Sequence, residues 1–255
     1  MNAMRQQCGF PALKENTLLD ASTANHVTYM IDNSYYGHYE TASSPGFTGA
    51  TPQVRAQYVG YSGSVGEVLS LVKTNAGGVT AIQSLSVSPY HLAEMLSPVT
   101  DAGMRYAPLN STYDVFASDS GALTPAQYQN SPLTFPCQGI TGAPYANTLG
   151  ETPNPIINGQ AVQFPIGTPV AIVGNASDTI ALSSGTMTGP GGSAINLDLL
   201  DSATDGNHEI ASFAAVAFPA SPLQPNTTYN VSINGTDNGT PFSRNFSFTT
   251  GNTAY

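Results

Sequence analysis

Charge is what this chain has least of. Only 9% of its 255 residues are charged, and Lys and Arg together number 6 against 16 acids, for a net charge of −10. Binding to nucleic acid through phosphate neutralisation is excluded, because there is no basic face to displace counterions. Adhesion to an anionic membrane by a polybasic segment is excluded on the same ground. Long apolar runs are missing as well. The longest, Ile210 to Ala220, is broken by Ser212 and Pro219 and is about half of the roughly 20 residues that a membrane-spanning helix needs. No membrane span is expected. The chain also lacks a charged-then-apolar leader at its start. Ser, Thr, Asn and Gly supply the polar surface, as in many exported proteins, and an extracellular or periplasmic location is expected.

Tryptophan is absent, cysteine occurs twice and histidine four times. Aromatic surface falls to 13 tyrosines, of which Tyr35, Tyr36, Tyr39, Tyr58, Tyr61 and Tyr90 gather in the first ninety residues. They could line a groove that is apolar in body and polar at its rim, suited to sugars, lipids or peptides, or simply fill a half-wet cleft. In an oxidising compartment Cys8 and Cys137 can form one bridge from the first helix to the end of the first domain; two separate buried thiols are the alternative. The familiar catalytic signatures are missing: no Gly-x-Ser-x-Gly, no His-Glu-x-x-His, no phosphate loop and no dinucleotide fingerprint. Asp198, Asp201 and Asp205 lack the spacing of a calcium loop.

Local patterning changes once along the chain. Helices are expected over Asn2 to Cys8, over Thr17 to Asp32, and from Pro52 to Val59 with Thr51 as cap. Two more are expected, one through Val79, Ile82 and Leu85, and one opened by Ser88-Pro89. Met104 to Ala107 and Thr112 to Ala117 alternate as strands. Residues 122–165 are rich in Pro and Gly and read as an extended connector. Beyond it, short runs of strand period recur from Thr168 to Thr249, separated by turn signals that include Asn234-Gly235 and Asn238-Gly239. That spacing suggests an immunoglobulin-like β-sandwich over residues 166–255, after a helical domain over residues 1–121.

Chemistry concentrates in Gly37-His38-Tyr39-Glu40, Gly66-Glu67 and Ser88-Pro89-Tyr90-His91. Imidazole and carboxylate together can hold a divalent metal or orient one another as acid and base. Glu67 stands before Val68 and Leu69, which suggests a carboxylate approaching the interior and in need of a partner. His91 opens a short helix, where the helix dipole favours a neutral ring. Glu40 points the same way as His38 if the segment is extended, or is a solvated loop acid. His26, beside Val27 and Met30, reads as a hydrogen-bonded core histidine, and His208 as a turn residue.

The order of these motifs resembles the CAP superfamily (cysteine-rich secretory proteins, antigen 5, pathogenesis-related 1) in its bacterial secreted form. The matching residues are Asn2 and Arg5, then Ala21, Ala24, His26, Tyr29 and Met30, then His38, then Gly66-Glu67, then Ser88 to His91. They cover residues 2 to 120, and because the match begins at Asn2 the resemblance implies a signal peptide removed ahead of Met1. The chain departs from the wider family in having no histidine between His91 and His208, and in placing Val68 where an Asn follows Gly-Glu. The ending from Pro225 to Gly251 resembles bacterial immunoglobulin-like domains.

The fold class implied is α+β, a CAP-type α-β-α sandwich followed by an all-β immunoglobulin-like sandwich. The resemblance further implies a secreted binding module with a cleft formed by His38, Tyr39, Glu40, Glu67, Tyr90 and His91. Its expected partner is a small ligand or a cell-surface or extracellular partner. His38, His91 and Glu67 are the expected ligands of a divalent metal, most plausibly zinc. A hydrolase using a metal-bound water activated by Glu67 or Glu40 is the alternative, as is a structural module with a vestigial site.

Overall fold

Strand outweighs helix in the computed structural model, 37% against 17%, with residues 1–255 all described. The chain runs α1 (Asn2–Gln7), β1 (Lys14–Glu15), α2 (Thr17–Asp32), α3 (Pro52–Tyr58), β2 (Ser64–Lys73), α4 (Gly78–Leu85), α5 (Pro89–Met95), β3 (Asp101–Pro108) and β4 (Tyr113–Ala122). Short strands follow: β5 (Leu133–Phe135), β6 (Thr141–Ala143), β7 (Ala146–Asn147), β8 (Ile156–Ile157), β9 (Gln160–Ala161) and β10 (Ile166–Gly167). The last six are β11 (Val170–Val173), β12 (Ile180–Thr188), β13 (Ala194–Asp201), β14 (Ala214–Pro219), β15 (Thr228–Asp237) and β16 (Thr240–Thr250). These form two compact units. The small one comprises Ala12–Leu85 and Val99–Ala126; the large one comprises Met1–Pro11, Ser86–Pro98 and Gln127–Tyr255.

Capping chemistry explains the small unit's helices. The Asn16 side chain accepts the Leu18 N–H at 3.0 Å to start α2, and Thr51 accepts the Val54 N–H at 3.3 Å to start α3 with Pro52 in its first turn. A four-stranded sheet, in the order β1-β3-β4-β2, supports them. Leu69, Ala107, Val115 and Ala117 of the sheet pack against Val27 and Met30 of α2. At Gly103 the fit leaves no room: an added Cβ would lie 2.1 Å from the Leu19 and Asp20 backbone. Strand β2 is not anticipated by alternation, since Glu67, Val68, Leu69 and Ser70 are all buried and both faces are covered.

The large unit is built on one eight-stranded sheet, β5-β11-β14-β13-β12-β15-β16-β6. Laid flat, its seven inter-strand steps would separate the edge strands by about 34 Å. Yet Phe135 ends one edge strand and Thr141 begins the other, and that link reaches about 20 Å when fully extended. The sheet therefore has to curl, and it forms a half-barrel. Val170, Ile172, Met187, Ala215, Ala217, Val231, Ile233 and Phe248 fill its interior. Helix α5 packs against β11 and β14. Arg5 of α1, wholly buried, donates to the Met95 carbonyl at 2.8 Å and the Ser97 carbonyl at 3.2 Å beyond the end of α5, where helix-terminal carbonyls favour a cation. Cys8 and Cys137 are bridged, with Cα atoms 5.5 Å apart.

The expected architecture is corrected. The chain is mostly β and is not a CAP-type α-β-α sandwich: its five helices are few and mostly short, and α4 packs on β2, an edge strand, so that no full helical layer forms there. Nor do residues 166–255 form two facing sheets of immunoglobulin type, because the strands join in a single curled one. Compactness also divides the chain differently from 1–121, 122–165 and 166–255. The start of the chain and residues 86–98 go with the large unit, and the proline-rich stretch supplies β5 and β6, the two edges of its sheet. Edges are where proline is tolerated, since it cannot donate to a ladder on both sides.

Candidate functional site

Five polar side chains, His26, His38, Glu40, Arg55 and Glu67, which the sequence scatters over about forty residues, meet inside the small unit. The buried face of α2 carries Ser22 and His26 one turn apart; α3 turns Arg55 inward; β2 contributes Glu67. The loop between α2 and α3 brings in His38 and Glu40. Arg55 Nη2 donates to Glu67 Oε2 at 2.7 Å, and its Nη1 donates to the His38 carbonyl at 2.8 Å. His38 Nδ1 lies 2.8 Å from Glu67 Oε1. His26 Nδ1 lies 2.9 Å from Glu40 Oε1, while its Nε2 lies 2.9 Å from the Gly37 carbonyl. Glu40 Oε2 accepts the N–H groups of Thr48 at 2.7 Å and Gly49 at 3.2 Å.

Hydrogen-bond valence sets the charges. The two ring nitrogens of His26 face Glu40 Oε1 and the Gly37 carbonyl, both acceptors. Burial pushes the Glu40 carboxyl up, but the His26 hydrogen bond, the Thr48 and Gly49 N–H groups and Arg55 outweigh it and hold it below the usual carboxylate range. Burial likewise raises Glu67, and is overcome by the His38 hydrogen bond, Arg55 and His26. Two carboxylates thus lie against the Arg55 guanidinium and the two imidazole rings. Side-chain exposure is 0% for His26, Glu40, Arg55 and Glu67 but 29% for His38, which makes His38 the member of the cluster that reaches the surface. Beside it the Tyr39 ring is 65% exposed, and Tyr36 is exposed along part of its length, its phenol pushed up by burial and by Glu67.

Of the residues expected in the cleft, the structure joins His38 to Glu67 directly and Glu40 to the same cluster through His26 and Arg55. Glu40 is buried rather than solvated. His91 belongs to the large unit, where its Nδ1 lies 2.9 Å from Glu151. Tyr90 is buried there, donating its hydroxyl to Asp205 at 2.5 Å. His208 adopts φ +61° just after a turn. No group of three His, Cys, Asp or Glu side chains is disposed to hold a metal ion. His38 and Glu67 lie in the small unit and His91 in the large one, and Glu67 is already paired with Arg55.

Sequence reasoning missed Arg55 and Asp119. Arg55 is one of only six basic residues and sits between Val54 and Ala56, a rare charge in an apolar context. Asp119 follows Val115 and Ala117 at strand period, and so falls on the face that those two residues give to the core.

Comparisons with known proteins add little. No family model and no curated protein matches the chain. Among solved structures, an outer surface protein from Borrelia burgdorferi is similar over 48% of this chain and 85% of its own, at 15% identity and a TM-score of 0.41.

Proposed function

We propose that this is an exported binding protein whose small unit recognises a small polar ligand at His38. The observation that carries the reading is the graded burial of one ion-pair cluster. Arg55 fixes Glu67, Glu67 orients the His38 ring, and of these three only His38 is partly exposed. A ring held this way loses little freedom when a ligand binds, which favours recognition. Exposed Tyr39 and the ring of Tyr36 supply flanking surface of the kind that packs against sugars, lipid chains or peptides. Export is supported by the Cys8–Cys137 bridge and by the charge-poor surface. The alternative of a metal-assisted hydrolase draws no support from the arrangement of the ligands.

The experiment is a binding screen by calorimetry with neutral oligosaccharides, short peptides and lipid micelles, on the wild type and on His38→Ala. That variant keeps the Arg55–Glu67 pair. The expected result is one class of ligand whose affinity falls at least tenfold in His38→Ala. Equal affinities in the two proteins, or no binding by any class, would overturn the reading.

A further inference from the structure

Asp119 is the buried group near this site that the cluster's bonds leave unexplained. It stands on β4 directly opposite Glu67 of β2, so the two carboxyls share one face of the sheet as a cross-strand pair. Its side chain is shut away from solvent, and neither oxygen has a hydrogen-bond partner of ordinary geometry. On its other flank the register places Gly103 of β3, where the backbone of α2 closes onto the sheet. The Ser22 hydroxyl, from the buried face of α2, is also without a partner. No cation paired with Asp119 accounts for a carboxylate here.

An ionised carboxylate sealed without donors is heavily penalised, and a second anion one ladder step away adds to the penalty. A neutral carboxylic acid escapes both, provided that its hydroxyl finds an acceptor. The surrounding groups narrow the choice. Arg55 from α3 and His26 from α2 are donors. Glu40 has both oxygens engaged by His26, Thr48 and Gly49. Ser22 from α2 serves best as a donor to the acid's carbonyl oxygen. His38 already gives its Nδ1 to Glu67. Glu67 is the acceptor left, across the strand.

We propose that Asp119 is a third carboxyl of this site, a neutral acid that donates its hydroxyl to Glu67 from within the sheet and so acts as a positioning residue for His38. Burial first and Glu67 second push its acid strength the same way, well above the usual carboxylate range and against smaller effects of Ser22 and Arg55. Glu40 and Glu67 then face Arg55 and the two imidazole rings as the anions of the site, with Asp119 neutral. Glu67 receives three donors, from Asp119, His38 and Arg55, and is held on all sides as an anion. The inference concerns the frame behind His38 and holds whether or not the cleft binds the ligands proposed above.

The test is a difference infrared spectrum at pH 7 between the wild type and Asp119→Asn, read together with the Nδ1–H proton resonance of His38. The expected difference is the loss of a carbonyl stretch of a protonated carboxylic acid. Loss of a carboxylate band instead would overturn the proposal. Asn retains an N–H that can donate to Glu67, so Asp119→Asn should leave the His38 resonance near its wild-type position. Asp119→Leu removes the donor, and Glu67 should then accept more strongly from His38 and move that resonance downfield. An unmoved resonance in a folded Asp119→Leu would sink the link to His38. Should that variant not fold, the infrared result on Asp119→Asn decides the proposal by itself.

Discussion

Replacing Arg55 with Met would leave Glu67 without its 2.7 Å ion pair, in a place that water does not reach. Breaking a buried pair from one side costs about 3–5 kcal/mol, because the surviving charge stays desolvated. A loss of that size in urea denaturation is expected for Arg55→Met, and a change below about 1 kcal/mol would show that Glu67 takes up a proton instead. Acidity acts on the same residues in two directions. Glu40 and Glu67 ionise in the fold below their ordinary 4.5, so their stabilisation is whole above that pH and disappears as the pH falls through the lower folded values. Asp119 is raised, so its contribution is whole below its ordinary 3.8 and disappears as the pH rises. Asp119→Asn lacks that rising-side loss. Its urea midpoint should gain on the wild type as the pH climbs from about 4 towards 8, and a constant gap would refute the buried-acid assignment. Residue types alone revealed His38 and Glu67, because a carboxylate among Val and Leu needs a partner. They could not reveal that the partner of Glu67 was a guanidinium on a separate helix.

Elements here are often closed by groups far away in sequence, which limits what local pattern can tell. Helix α5 opens at Ser88-Pro89 as its sequence indicates, yet Ser88 makes no side-chain cap. Glu151 takes that role, accepting the Tyr90 N–H at 3.1 Å and the His91 N–H at 3.4 Å, together with the ring of His91. Glu151→Ala should therefore fray α5 and cost about 1–2 kcal/mol, as lost caps do; hydrogen exchange at Leu92 and Ala93 would report it, and unchanged protection would show the cap to be idle. Gly103→Ala should cost more, about 3 kcal/mol in thermal unfolding, since α2 has no space to yield without leaving the sheet. Strand alternation located most of β11 to β16 but misjudged where they end. Asn234-Gly235 looks like a hairpin turn and instead runs straight through β15, while Asn238-Gly239, with φ of +51° and +79°, makes the real one. Identical dipeptides gave no local means of choosing between them. Cross-strand pairing on both sides of β15 decided it.

At the scale of the molecule, the low charge and export-type composition are plain in the sequence, whereas the division into units is not. Segments 1–11 and 86–98 join the large unit through long-range packing that no run of residues announces. The cysteine bridge was legible only as one of two options. Denatured, unreduced protein should show close to no reactive thiol, and two would contradict the bridge. Reduction should lower stability by about 4–5 kcal/mol in the chain-entropy treatment of so long a loop, read as a fall in the thermal midpoint. The bridge spans 129 positions, and the whole small unit lies inside the loop that it closes. That arrangement fixes how the protein would carry a mechanical load. Tension applied between the two ends passes along the covalent chain from Cys8 straight to Cys137, so the path bypasses the small unit. The curled sheet would stretch and fail first, with His38 and its partners kept off the line of force for as long as the bridge stays oxidised.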